Sequence, residues 1–370
     1  MSNKLTRNRV AIFAAALAWS GLCASGQGIS LKIDFPKDSP VSPLSTDFGN
    51  SNASARGGAN LIEVNAALSL RNSGQKRIRS MTLMVSTQDA ASSGKGSVSV
   101  PTLDAGPGET FSIRINTRLL RPLAAGNPVV EVKLDGILFD DLSFYGPDLL
   151  HSQRTMTMWE LEAQRDRKYF KSLLETAGAE GLRKEMLASL ARQAERPQRG
   201  VQMVRARSTN LDAERETQFA FLEIPESPVI ASSGVARMGA NLAGAPRFDV
   251  RNRSSKPVQH LEIAWIVKDQ QGREFLAASM PADMKLAPNQ SGQIAQDAAL
   301  RFDGSIAIQG MSGFVSNVEF ADGSQWIPSR SALEQPRLRQ VFDPSPEEQR
   351  LSQIYNKKGL QALIEELKKF

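Results

Sequence analysis

Ala55-Arg56-Gly57-Gly58-Ala59-Asn60-Leu61 returns as Ala236-Arg237-Met238-Gly239-Ala240-Asn241-Leu242, six of seven residues identical, 181 positions later. An internal repeat has to be settled first, because a missed one misassigns the whole architecture. Working outward at a shift of 180, Arg71-Asn72 returns as Arg251-Asn252, Lys76 as Lys256 and Asp89 as Asp269. Between these anchors Ile78, Met81, Leu83 and Val85 meet Val258, Leu261, Ile263 and Trp265, so apolar positions stay in phase. Upstream, Phe35-Pro36 and Asp38-Ser39-Pro40-Val41 parallel Ile224-Pro225 and Glu226-Ser227-Pro228-Val229. Downstream, Pro107-Gly108-Glu109 parallels Pro288-Asn289-Gln290, and Asp135-Gly136 with Phe139 parallels Asp322-Gly323 with Trp326. The expectation is a tandem duplication of a module of about 115 residues.

Each copy reads as strands. Ile62, Val64, Ala66, Leu68 and Leu70 alternate with polar or small residues, the period-2 pattern of a half-buried strand. Phe111, Ile113 and Ile115, and then Val130, Val132 and Leu134, repeat the pattern. In the second copy Leu261, Ile263, Trp265 and Val267 share one face, and Phe248 and Val250 mark another strand. The Asp-Gly pairs at 135–136 and 322–323 stand where tight hairpins would need a positive φ. About seven short strands per copy predict a β-sandwich of immunoglobulin (Ig) or fibronectin type.

The residues also carry a family likeness. Val250, Asn252, Ser254, Ile263, Asp269, Gly272, Leu286, Pro288 and Asn289 form a strand ending in Asn and Ser, a long strand reaching Asp and Gly, and a Leu before a Pro-containing turn. The first copy has Leu70, Asn72, Ser73, Leu83, Asp89, Leu103, Pro107, Gly108, Glu109 and Phe111 in the same order. This resembles bacterial Ig-like domains of the FxLYD type found outside the cytoplasm. The likeness covers about half of each copy and implies spacer or binding modules; fold alone assigns no role.

Between the copies the period changes. Trp159, Ala163, Phe170, Leu173, Leu174 and Ala177 fall at helical spacings, with Glu160, Arg165, Asp166, Lys168 and Lys171 on the other faces. Gly178 is expected to end that helix, a second should run from about Glu180 to Ala194, and Arg199 to Glu216 reads as a loop. From His151 to Arg207 there are 12 Lys and Arg against 7 Asp and Glu, which reads as the solvated face of a helix pair rather than a polyanion site. Near the end, Ser345-Pro346-Glu347-Glu348 is a capping-box arrangement. Leu351, Ile354 and Tyr355 form one apolar stripe, Gly359 breaks it, and Leu360, Leu363, Ile364 and Leu367 form another. These helices are expected to dock on their own domain ahead of a partner. Contact of the lysine pairs at 357–358 and 368–369 with a membrane surface ranks lower.

The first 26 residues read as a secretory signal: Lys4, Arg7 and Arg9, an apolar run from Val10 to Leu22, then Ala24, Ser25 and Gly26. Ser20, Gly21 and Leu22 fit a lipobox badly, so acylation of Cys23 ranks below ordinary cleavage. The chain has one Cys and two His, so a Cys/His metal site has almost no material. Its net charge of +6 falls to 42 bases against 39 acids once the leader is removed, too little to argue for nucleic acid.

Serine catalysis needs a base, usually His, beside the nucleophile. His151 and His260 accompany no G-x-S-x-G elbow, and Gly94-Lys95-Gly96 lacks the spacing of a phosphate loop. Asp140-Asp141 reads as turn or edge chemistry. A sugar platform would need exposed aromatics; Trp265 and Trp326 read as core, which leaves Phe144 and Tyr145.

The sequence therefore predicts a mainly β chain with a signal peptide at 1–26, a sandwich at 27–148, a helical connector and loop at 149–216, a second sandwich at 217–333 and a helical tail at 334–370. The expected protein is bacterial, periplasmic or secreted, and non-enzymatic. It would serve as an interaction or scaffold module with a protein partner in the cell envelope. No catalytic residues, cofactor, metal or nucleic-acid partner are expected, and no binding residues are singled out. A polysaccharide-active or carbohydrate-binding protein and a periplasmic chaperone-like binder are the alternatives. About 70 residues between the sandwiches count against the chaperone.

Overall fold

The computed structural model describes residues 23–26, 29–87, 95–122, 129–195, 201–205, 215–239, 241–302 and 308–370. Most of the leader, Asp89, Gly94 and the central part of the 199–216 stretch lie outside these residues. The protein is mainly β, with strands in sandwich-like, nearly barrel-closed sheets. It divides into two compact units. One comprises the described residues up to Arg77 with Thr82–Ser99 and Ala105–Gly136; the other comprises Ile78–Met81, Val100–Asp104 and Ile137–Phe370.

In the first unit β5 (Ala59–Asn72) is flanked on one side by β3 (Val41–Asp47) and β4 (Asn52–Arg56), and on the other by β8 (Thr110–Pro122). A second sheet runs in the order β1 (Cys23–Gly26), β2 (Ile29–Asp34), β9 (Val129–Phe139), β6 (Ile78–Thr87), β7 (Lys95–Val100). Strand β2 lies parallel to β9 from Ser30–Val129 to Asp34–Lys133. The alternation read from the sequence places Ile62, Val64, Leu68, Leu70, Ile113, Ile115, Val130 and Val132 in the core. Asp135-Gly136 is not a hairpin: it lies inside β9, where both residues are buried among strand neighbours. The reversal comes six residues later. Phe139 N–H bonds Ser143 O at 3.0 Å, and Asp141 Oδ1 accepts the N–H (3.0 Å) and hydroxyl (2.5 Å) of Ser143. The short strand β10 (Phe144–Tyr145) then pairs back on β9. The counterpart in the second copy of the repeat is Asp322-Gly323-Ser324, with 3.0 and 2.5 Å to Asp322 Oδ1. Gly323 has φ +78°, and Leu142 holds the same left-handed position at +65°. No glycine marked that turn in the first copy, so the Asp-Gly pair drew the reading to the wrong place.

In the second unit the helix α1 (Ser152–Glu195) precedes the strands β11 (Val201–Val204) and β12 (Arg215–Phe221). The sheet path then uses β13 (Val229–Met238), β14 (Leu242–Asn252), β15 (Val258–Asp269), β16 (Glu274–Leu286), β18 (Ala299–Phe302) and β19 (Ile308–Phe320) in the order β11-β18-β14-β13-β12-β19-β15-β16. Strand β17 (Ser291–Ala295) adds to β14 and β20 (Gln325–Trp326) to β19. The stretch expected as a loop up to Glu216 thus contains β11 and the start of β12, which its polar composition concealed. Strand β12 changes partner midway: Arg215–Phe219 pair antiparallel with β13, and Ala220 and Phe221 pair parallel with β19.

Trp265 is fully buried and packs edge-on against Phe219 and Phe248. The alternation in β15 is only half of its pattern, because Ala264 and Ile266 are buried as well. That outer face is covered by Ala332 and Leu333 of α2 (Arg330–Leu333) and by Leu338 and Val341 of α3 (Pro336–Val341). A strand covered on both faces loses polar alternation.

The connector and the tail form one helical body. Helix α4 (Pro346–Leu367) packs Leu351, Leu363 and Leu367 against Phe170, Leu182 and Met186 of α1. Both helices kink at glycine, Gly178 (φ +69°, ψ −171°) and Gly359 (φ +82°, ψ +179°), a backbone region that side chains disfavour. Ser345 caps α4 by accepting Glu348 N–H at 3.0 Å. The reciprocal half of the expected capping box is not what engages the Glu348 carboxylate, which binds Arg330 Nη1 (2.6 Å) and Ser189 Oγ (2.7 Å).

One polar device occurs in both units. Asn72, with no exposed surface, donates from Nδ2 to Lys76 O (2.8 Å) and Ala105 O (2.9 Å) and accepts Gly74 N–H at Oδ1 (3.0 Å). Asn252, also unexposed, donates to Lys256 O (2.8 Å), Leu286 O (3.1 Å) and Ala287 O (3.2 Å) and accepts Ser254 N–H (2.9 Å). Each Asn backbone N–H meets the carbonyl of the turn residue Glu109 or Gln290 at 2.9 Å. The side chains of those residues take up Gly106 N–H (2.6 Å) and Ala287 N–H (2.8 Å). The turns need one left-handed residue, supplied by Gly108 (φ +78°) and Asn289 (φ +62°).

Candidate functional site

Both histidines of the chain lie near Asp283 of β16. His151 stands exposed at the start of α1 and adds to the positive field at that carboxylate. His260, its side chain only 2% exposed, faces Asp283 with Nδ1 to Oδ1 at 2.8 Å, while Asp283 itself is 85% exposed. Burial pulls the His260 pKa down against the opposing pull of Asp283, so the imidazole is neutral at pH 7; the His260 hydrogen bond holds Asp283 below the usual carboxylate range. Arg154 of α1 binds Glu319 of β19 and lies 3.9 Å from Asp283. Gln259 donates to Glu319 at 2.7 Å, and Gln325 donates to the Arg154 carbonyl at 3.2 Å. A nucleophilic triad would need a hydroxyl at the imidazole. Here the groups around it, Arg154, Glu319 and Gln259, engage one another, and the arrangement ties the start of α1 to β15, β16 and β19.

Two further carboxylates, distant in sequence, are close enough in space to interact. Glu162 of α1 is raised to about 7, chiefly by burial, with the charges of Asp166 and Glu262 adding to the effect. Glu262 of β15 is raised by burial as well, with Arg154 opposing. Both are half-buried.

One charge cluster binds α1, α2, α3 and α4 together. Arg330 Nη1 lies 2.6 Å from Glu348 and 3.5 Å from Asp166, and its guanidinium stacks 4.6 Å from the Tyr169 ring centroid. Arg165 pairs with Asp166 at 2.9 Å, Arg192 with Glu185 at 2.9 Å, and Arg339 with Glu334 at 3.5 Å. Four guanidinium groups thus meet four carboxylates, Asp166, Glu185, Glu334 and Glu348. Burial raises the Glu348 pKa, but the Arg330 contact outweighs it and keeps the group ionised. The cleft these residues line holds about 40 Å³, room for a water or two and no metabolite. Arg167 pairs with Glu160 (2.5 Å), and Arg167 and Arg79 both lie over the Phe370 ring, 4.4 and 4.8 Å from its centroid. Glu160, Asp166 and Arg167 are buried, which corrects the expectation of a solvated face on α1. Asp166 and Arg167 find partners in Ser345 and Glu347 about 180 residues away, which no local pattern could announce, whereas Glu160 is paired with Arg167 within α1 and with Arg79 of β6.

Among the described residues no group of three His, Cys, Asp or Glu is arranged to hold a metal ion. No described helix is long and apolar enough to cross a membrane. Asp140-Asp141 lies in the turn before β10, as its reading as turn chemistry implied. Trp265 is in the core, and Trp326, Phe144 and Tyr145 are half-buried, so no fully exposed ring remains among those four to build a sugar platform.

No family model and no curated protein matches the chain in sequence. Among solved structures it aligns with a β-glucosidase from Kluyveromyces marxianus in complex with glucose, at 7% identity and a TM-score of 0.17, over 76% of this chain and 47% of that one. It also aligns with red sea bream transglutaminase at 8% identity and a TM-score of 0.12, over 77% of this chain and 29% of that one. The chain spans less than half the length of these proteins, and at such scores the likeness carries no argument for fold or activity.

Proposed function

We propose that this chain is an exported, non-enzymatic interaction or scaffold protein of the bacterial cell envelope, built on two Ig-like sandwiches of the FxLYD kind and a helical module. The observation that carries the reading is the pair of buried asparagines, Asn72 and Asn252. Each is placed between a strand end and the same kind of turn, and each satisfies backbone groups of three or more neighbouring residues. The amides of Asn72 and Asn252 are turned inward, on to main chain. Sheet faces and edges are left as the surfaces through which such a module acts.

The test is capture from envelope extract with the purified mature protein, followed by competition with excess untagged protein. One defined protein or glycan, retained specifically and displaced by competitor, is the expected result. Absence of any specific partner, or turnover of a glycan panel by the same preparation, would overturn the reading.

A further inference from the structure

The two units treat one sheet edge differently. In the second unit β13 is one strand beside β14, from Val229 opposite Asn252 to Met238 opposite Ala243, with register shifts between Ala231 and Gly234 and between Val235 and Arg237, and its far edge is covered from Gly234 to Met238 by the first half of β12. In the first unit the same side of the central strand is lined by β3, from Val41 opposite Asn72 to Asp47 opposite Ala67, and then by β4, from Asn52 opposite Glu63 to Arg56 opposite Ala59. The strand that would cover their far edge is β2, but β2 gives five residues to β9, where β12 gives only two to β19. Among the described strands none lies beyond β4.

An open strand edge offers a row of unpaired backbone groups, and proteins ordinarily blunt such edges with charges, prolines or bulges. The end strand β16 carries Pro281, Asp283 and Lys285, and β3 carries Pro43 with a register shift between Pro43 and Ser45. Within β4 the charge is confined to the last residue, Arg56; Asn52, Ala53, Ser54 and Ala55 carry neither charge nor proline, and Ser54 and Ala55 are exposed.

We propose that the β4 edge of the first unit is a strand-acceptor site for an extended segment of a partner protein, added antiparallel as β12 is added to β13. The occupant is specified by that internal precedent. The covering strand reads Arg215-Glu216-Thr217-Gln218-Phe219, polar except for one aromatic residue directed into the sandwich, where Phe219 packs against Phe248 and Trp265. A partner segment of the same kind, uncharged or sparsely charged at its centre with one large apolar anchor, matches the edge. Main-chain hydrogen bonds supply affinity and the anchor supplies selectivity. This deepens the interaction reading above and rests on it for the existence of a partner.

The experiment uses the intact chain and a synthetic peptide of residues 215–221, read by amide hydrogen exchange. The chain's own β12 already occupies the β13 edge, and exchange along β3, β8 and β16, which are also paired on one side only among the described strands, is followed as the control for addition elsewhere. Saturating peptide is expected to slow exchange at least about tenfold at alternate amides of Asn52–Arg56, as strand pairing protects them, with no effect from a scrambled peptide. Unchanged exchange at 52–56 would overturn the site, as would protection equal with the scrambled sequence. Altered exchange at 234–238 in its place would show strand displacement in the second unit and would equally overturn it. Failure here with successful envelope capture removes this edge and leaves the interaction function standing; failure of both removes the function.

Discussion

Replacing Asn252 probes the device on which the strand ends and turns of the second unit depend. Its Nδ2 serves three carbonyls, of Lys256, Leu286 and Ala287, and its Oδ1 takes the Ser254 N–H and hydroxyl. A typical buried hydrogen bond contributes about 1 kcal/mol net, and a buried group left unsatisfied costs about 1–3 kcal/mol. Lys256 O keeps the Ser254 hydroxyl at 3.0 Å, so the loss is not a full sum. Asn252→Ala is expected to cost about 3 kcal/mol, which at a urea slope of about 2–3 kcal/mol/M lowers the midpoint by roughly 1 M. The fluorescence of Trp265 reports it, since that ring lies in the core of the same unit. Asn252→Asp separates hydrogen-bond polarity from shape. At neutral pH it turns a carboxylate oxygen towards three carbonyl oxygens, and the loss should exceed that of the alanine variant. The ionised form is the disfavoured one, so the folded-state pKa of the new carboxyl lies above its unfolded value of about 3.9. Its stability contribution is then fully present below the unfolded pKa and lost as pH rises through the folded one. The Asp variant should therefore regain stability on acidification relative to the Ala variant. A midpoint shift under about 0.3 M for Asn252→Ala, or an Asp variant as stable as the parent at pH 7, would refute the role assigned to the amide.

Glu162 supplies a pH dependence of the same sign in the natural chain. Burial lifts its folded-state pKa to about 7, above the unfolded value of about 4.3, so stability linked to it is complete below pH 4 and declines as pH rises through 7. Melting temperatures between pH 5 and 8.5 should fall more steeply for the parent than for Glu162→Gln, and parallel curves would sink the assignment. Arg330→Met keeps a similar volume but leaves Asp166 and Glu348 short of a cation. Since Arg165, Arg192, Ser189 and Ser345 still reach those carboxylates, the expected cost is about 2–3 kcal/mol, at or below the range for a broken buried pair. Helical ellipticity during urea unfolding measures it, and a double-mutant cycle with Glu348→Gln should return a coupling of about 1 kcal/mol or more; additive losses would show that the pair is not coupled.

The residues that carried the sandwich reading were those whose burial is set by the strand itself. Alternation along β5, β8 and β9 was visible because one face of each packs inward at period 2. The capping serine, the glycine breaks at 178 and 359 and the apolar stripes of α4 were legible for the same reason: their causes lie within a turn or two of chain. What escaped detection depends on distant partners. Asp166 and Arg167 look solvent-facing until Arg330 and Glu347 reach them, Glu160 until Arg79 of β6 does, and Ala264 and Ile266 look like interruptions until α2 and α3 cover β15. Strands β11 and β12 are polar because their stability comes from hydrogen-bonding neighbours more than from apolar side chains, so composition read them as loop.

The repeated heptad shows how far local sequence goes. In the first unit the hairpin closes at Arg56 opposite Ala59, with Gly57 at φ +57° and Gly58 at φ +84°, the two left-handed positions a two-residue reversal of this hand requires. In the second unit Met238 stands where Gly57 does, and a side chain in that conformation costs about 1–2 kcal/mol. Met238 stays in the strand, opposite Ala243 and buried, and the reversal is closed by Gly239 N–H to Leu242 O at 2.8 Å. The closing pair has moved by two residues, from the position of Arg56 and Ala59 to that of Gly58 and Leu61. A move of two keeps every side chain on its own face, whereas a move of one would have turned the core outward. The relocated turn comes with two register shifts of β13 against β14, between Ala231 and Gly234 and between Val235 and Arg237, so the strand and not only its reversal differs between the copies.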